Sequence, residues 1–443
     1  MQKRLRPATL AVPALLTSLL LAACGGPTPA TTATTTSPAT GAASASELKE
    51  VASVTPRVLL SHDRGVTVLD SATGDVISEI DHPGFLRLAG AGDGRHALIA
   101  DGDRFLALDA AVQTRLHGDH THSYAGDPSL TDISYDSPHA GHVVVNDGLT
   151  ALFSDGEGTV RIIPTDQVAG GYRAADGTVV DTGAPHHGVA VPFRDGSVLL
   201  TVGTEDERRT IQHRAADGTV LAETDQCPGV HGEATAAAGR AVFGCEDGPV
   251  VFDGTEFHKI PAAHGADYQR TGNVAGHPDS PTVLGDLKVD KDAKKERPTR
   301  VTLIDTRSNT MQQVELDSSY WFRSLSRGPA GEALVLTYDG HLKVIDPGSG
   351  EITADIPAIE AWEEKEKWQE PGPIIQVVGD TAYITDAENK ELVLVDLTSG
   401  EVRNRFQLTF APVEMTVLDG IADADAAQIA GKPGHEGHGD HDH

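Results

Sequence analysis

From Val58 onward the sequence is written in short runs of β-branched and aliphatic residues, broken by Asp-Gly, Gly-Asp and Pro-Gly turns. Short, evenly spaced runs of this kind mark a sandwich, barrel or propeller. Equivalent units recur about every 40 to 50 residues, the interval of propeller blades. One unit reads Phe85–Leu88, His96–Ile99, Phe105–Leu108 and Thr114–Leu116; later units begin near His142, His187, His231, Tyr268, Trp321 and Ile374. Val58–Ile80 supplies only three strands, and the run Pro412–Leu418 is the natural fourth. The expectation is an all-β fold: a single β-propeller of eight blades, its ring closed by strands from both chain ends. Seven blades is the alternative, because the unit from His142 has a poorly defined fourth strand. Ile359–Gln369, charged and Trp-containing, is the one stretch expected to form a short surface helix.

The chain of 443 residues divides by composition. Residues 1–23 read as an export signal: Lys3, Arg4 and Arg6 precede the apolar run Ala8–Ala22, which is too short and too interrupted for a membrane span. The run ends Leu21-Ala22-Ala23-Cys24-Gly25, which resembles a bacterial lipobox and implies cleavage before Cys24 and lipidation of its thiol. Residues 24–50 then read as a flexible Thr/Ala/Pro/Gly/Ser tether, 51–420 as the propeller and 421–443 as a disordered His-rich tail. The protein is therefore expected outside the cytoplasm, anchored to the cell membrane by lipid, and monomeric. A net charge of −30 argues against a nucleic-acid partner and suits the attraction of cations. With Cys24 lipidated, Cys227 and Cys245 read first as a disulfide between neighbouring strands, with metal thiolates as the alternative.

Histidine recurs where units begin. His139-Ala140-Gly141-His142 precedes Val143–Val145, His186-His187-Gly188 precedes Val189–Val191, and His231-Gly232-Glu233 opens the next run. In a propeller these positions share one mouth of the central channel, so side chains from separate strands converge as a zinc site requires. His142, His187 and His231 are the candidate ligands, with Glu233, His139 or His186 completing the shell. Glu233 is two residues from His231 and so shares its side of a strand. His264 is a possible further member. A second set lies in His117-Gly118-Asp119-His120-Thr121-His122, read as a mobile loop, Leu116–Gly141, over the same mouth. The tail adds His435, His438, His441 and His443 among Asp, Glu and Gly, a composition for weak multi-site binding. No nucleophile elbow, P-loop or zincin motif is present.

Pro185–Val191, His231–Ala234 and Val242–Gly248, together with the Asp-Gly-rich unit from His142, resemble AztD-type zinc metallochaperones over roughly residues 57–420. The resemblance implies a secreted β-propeller that binds Zn2+ and hands it to the solute-binding protein of a zinc ABC transporter. It also implies that His142, His187 and His231 are zinc-associated. The chain departs from the family in its lipobox and its His-rich tail. The competing readings are a propeller enzyme, a lactonase-like hydrolase or metal-dependent oxidoreductase with the metal in the channel, and a metal-free binding propeller.

Overall fold

In the computed structural model, the described residues are 47–169, 176–262, 266 and 268–429. They form eight four-stranded antiparallel sheets and one three-stranded sheet, a propeller-like arrangement. Residues 87–407 carry seven of the four-stranded sheets, six of them built from four consecutive strands and the first, which begins at Arg87, taking its fourth strand from beyond an intervening hairpin. The eighth joins strands from both ends of the described chain: Glu414–Leu418 pairs with Arg57–His62 in the register Arg57↔Leu418 and Ser61↔Glu414. Gly65–Asp70 and Val76–Asp81 complete that sheet. The first strands of neighbouring sheets lie against one another, as Ala140–Asn146 does against Ala190–Pro192 and Ile375–Val378 against Glu414–Leu418.

Burial follows position within a sheet. The second and third strands are buried on both faces, as in Arg57–His62 and Glu391–Asp396, because each sheet is sandwiched between its neighbours. The fourth strand, such as Glu401–Gln407, alternates exposed and half-buried residues. One cluster of buried side chains, including Phe153, Val191, Leu200, Phe243 and Phe252, ties together the three sheets that begin near His142, His187 and His231. Each fully buried side chain of this size contributes about 1.5–3 kcal/mol. The candidate site thus stands on a rigid base.

Four sequence expectations change. The fourth strand of the Arg87 sheet is Ser129–Asp136, not Thr114–Leu116. Its polar Ser/Thr/Asp composition hid an alternation in which Ile133 and Tyr135 point inward. Val112–His117 and His120–Ala125 instead make a hairpin, joined by Lys49–Val51 into the three-stranded sheet. The stretch 359–369 has no helix; Trp362 turns inward, packing on Trp321 and Tyr338, with its indole N–H donated to the Thr337 carbonyl. Residues 421–429, placed by composition in the tail, are ordered: Asp423 donates its N–H to Gly92 O, and Ile429 is buried in a short helix, Ala426–Ile429. Cys227 and Cys245 are disulfide-bonded, with Cα atoms 4.9 Å apart. Neither lies in a strand, so the bridge joins the segment after Val220–Thr224 to the segment after Arg240–Phe243 rather than two paired strands.

Candidate metal centre

Three first strands carry the histidines to one place. His142 lies within Ala140–Asn146, His187 three residues before Ala190–Pro192, and His231 two residues before Glu233–Ala236. One ring nitrogen from each falls within 4.8 Å of the others. The Nε2 atoms of His142 and His187 are 3.2 Å apart, and the ring centroids of His187 and His231 are 5.2 Å apart. Each histidine adjoins a glycine, and the spacing has a steric cause. A Cβ on Gly141 would collide with the Asp155 carboxylate. Gly232 sits at φ +73° with its Cα against Gly272 O, where a side chain would be both strained and blocked.

Two of the imidazoles are oriented from behind. Asp155 Oδ2 accepts from His187 Nδ1 at 2.6 Å, and its other oxygen accepts the Gly188 N–H at 3.4 Å. Gly272 O accepts from His231 Nδ1 at 2.8 Å, which directs Nε2 of His231 away from the backbone. A carboxylate or carbonyl behind the ring fixes the tautomer and raises the basicity of the free nitrogen, as metal-ligating histidines require. His231 is also held by its backbone, its N–H donated to Gly244 O at 3.0 Å. The neighbouring Cys227–Cys245 bridge fixes the same segment.

Burial and neighbouring charge favour the neutral form of two of the rings, His142 and His231. Burial, then the charges of His187, Arg87, His231 and Arg208, holds His142 well below the usual imidazole range. Burial lowers His231 to about 4, opposed by its bond to Gly272 and helped by the charges of His187, Arg270 and Arg208. Neutral imidazole is the form that binds a metal. Three imidazoles leave a fourth tetrahedral position open.

The remaining candidates separate. His186 is buried, with Nδ1 bonded to Ala184 O and Nε2 to Thr201 Oγ1, and its ring packs on Phe153. Both nitrogens are therefore engaged in structure. His139 occupies an exposed turn at φ 50°, its N–H donated to Asp103. Glu233 does not join the converging ligand atoms: the positive φ of Gly232 breaks the alternation that would have aligned it with His231. Burial raises its carboxyl to about 8. Asp155 and Gly272 were not anticipated. Asp155 sits in one of many Asp-Gly turns, and nothing in the sequence distinguishes it from the rest.

His117, His120 and His122 form a second group whose ligand atoms converge within 4.8 Å. His120 Nε2 and His122 Nε2 are 3.1 Å apart, His122 Nε2 and His117 Nδ1 3.3 Å. Glu50 Oε1 accepts from His122 Nδ1 at 2.6 Å, and Asp119 lies 3.2 Å from His120 Nδ1. The group is on the hairpin, not on a loop over the first site. In the Arg87 sheet, Arg87, Ala100 and Asp136 share the end that faces His142, whereas Asp109 and Ser129, which bracket the hairpin, share the opposite end. Thr114 accordingly donates its N–H to Gly420 O, beyond the far end of Glu414–Leu418. Cys24, His264, His435, His438, His441 and His443 lie outside the described residues.

An all-β frame that brings three imidazoles from successive sheets to one cavity, two of them oriented from behind, defines a scaffold able to hold a metal ion by histidine. The comparisons with known proteins narrow that class. The chain is 25% identical over 396 residues to the zinc chaperone AztD of Citrobacter koseri, spanning 87% of this chain and 90% of that protein. The crystal structure of Citrobacter koseri AztD superposes with a TM-score of 0.70 at 23% identity, covering 82% of this chain and 98% of that one. The dihydro-heme d1 dehydrogenase NirN in complex with DHE matches at 0.54 and 13% identity, over 84% of this chain and 76% of that one. No family model matches the chain. The resemblance to AztD-type zinc chaperones therefore extends along most of the sequence.

Proposed function

We propose that the protein is an extracytoplasmic zinc metallochaperone that holds Zn2+ on His142, His187 and His231 and passes it to the solute-binding protein of a zinc ABC transporter. The convergence of three ring nitrogens within 4.8 Å carries this reading, and similarity to a zinc chaperone supports the choice of metal. The eight four-stranded sheets, one shared by the two chain ends, support an eight-bladed ring with the trio at one mouth. The second histidine group on the opposite side is a candidate accessory zinc site, and the tail a weak reservoir. Lipidation at Cys24 would keep the protein at the membrane beside its partner. The lining disfavours a catalytic role, because both carboxylates that line the cavity are committed: Asp155 to His187, and Glu414 to Arg323.

The test is zinc affinity by chelator competition, followed by transfer to the purified binding protein. Replacing any one of the three histidines by Ala should weaken the tightest site by about tenfold or more, with the β-sheet spectrum unchanged. Tight binding that survives all three single replacements would sink the assignment.

A further inference from the structure

The trio faces a cavity of about 710 Å³, within the range of about 300–1,000 Å³ that small-molecule sites occupy. Its charge is opposite to that of the molecule. The chain carries a net −30, yet the lining includes the cations Arg87, Arg270, Lys288 and Arg323 against two carboxylates, Asp155 and Glu414. Most of these charges are accounted for. Asp155 holds His187 and Glu414 pairs with Arg323. Arg270 lies 3.4 Å from Glu246, and Lys288 pairs with Glu296. Among the described residues the Arg87 side chain alone of the four cations makes neither an ion pair nor a hydrogen bond; its charge acts on the carboxylate of Glu414, already paired with Arg323.

A guanidinium lining the same cavity as the three imidazoles disfavours a bare dication, since like charges repel strongly where solvent is scarce. It suits a dication that arrives with an anion. Resting on the trio as the zinc site, we propose that the cavity binds zinc together with a small organic acid, whose carboxylate fills the fourth coordination position and is held on its outer oxygen by Arg87. Carboxylate suits both partners, as a zinc ligand and as the planar acceptor that guanidinium grips. The aromatic rings of Phe322 and Trp368 line the same cavity and offer an apolar wall to the acid's carbon skeleton. A single water would leave most of this volume unfilled.

The test uses one equivalent of Co2+, whose visible spectrum reports its ligands, in protein carrying His120→Ala and His122→Ala so that the hairpin does not compete. Acetate and citrate are titrated in a buffer otherwise free of carboxylates. The expected result is a saturable spectral change with each. Arg87→Ala should weaken acetate binding by about tenfold, equivalent to about 1.4 kcal/mol, while binding Co2+ at least as tightly as before when acetate is absent. Arg87→Lys, which keeps the charge, should retain much of the acetate affinity. A spectrum indifferent to both acids, or an Arg87→Ala protein that binds acetate as the parent does, would overturn the proposal. A Co2+ spectrum unmoved by His187→Ala before any acid is added would instead overturn the trio.

Discussion

Asp155 offers the sharpest test of how the cavity holds its cargo. Its carboxylate is 2.6 Å from His187 Nδ1, on the ring opposite the nitrogen that faces His142. A charge-assisted hydrogen bond of this kind contributes about 1.5–3 kcal/mol. The His187 side chain is 31% exposed and that of Asp155 19%, so solvent screens part of the interaction and the lower half of the range applies. Asp155→Ala should then weaken zinc by roughly tenfold to thirtyfold. Asp155→Asn keeps an acceptor but loses the charge, and a neutral bond is about half as strong, so its loss should be smaller. Chelator competition on the metal-free protein measures both. The decisive comparison is a double-mutant cycle with His187→Ala: once the imidazole is gone, removing Asp155 should change zinc affinity little. An Asp155→Ala penalty of equal size in the His187→Ala background would show that the carboxylate acts through general folding and not through the ligand.

Acid should destabilise the metal-free protein through its buried histidines. An unfolded histidine takes up a proton near 6.5 but His231 only near about 4, so its contribution is present above 6.5 and is lost as pH falls toward 4, by about 3 kcal/mol in all; denaturation at several pH values should show a flatter profile in His231→Gln, and an unchanged profile would refute this. His120→Ala with His122→Ala should remove one accessory metal equivalent, counted by metal analysis of tail-truncated protein, while zinc affinity at the trio stays the same. Opening the bridge with Cys227→Ser and Cys245→Ser removes a cross-link over a sequence separation of 18 and should cost about 3 kcal/mol of stability, read by denaturant titration. It should also loosen zinc binding, because the bridge holds the segment that carries His231.

Much of this molecule was determined locally and was therefore legible. Period-two burial and turn residues at regular intervals are written strand by strand, so the all-β class, the unit spacing and the pairing of Pro412–Leu418 with the N-terminal strands came from the sequence itself. So did the trio, because a histidine at the start of each of three first strands must share one side of the molecule once the strands are placed. What lay beyond local pattern was decided in three dimensions. Ser129–Asp136 is a strand only because a neighbouring sheet buries Ile133 and Tyr135, which a polar run does not announce. The hairpin bearing His117, His120 and His122 leaves from the end of its sheet opposite the trio, a matter of strand direction that its composition does not encode. Glu233 was assigned by alternation, and one positive φ at Gly232 ended that alternation. Asp155, Gly272 and Arg87 are remote in sequence from the histidines they serve or face. Their chemistry depends on distance and desolvation, and those exist only after the sheets have packed.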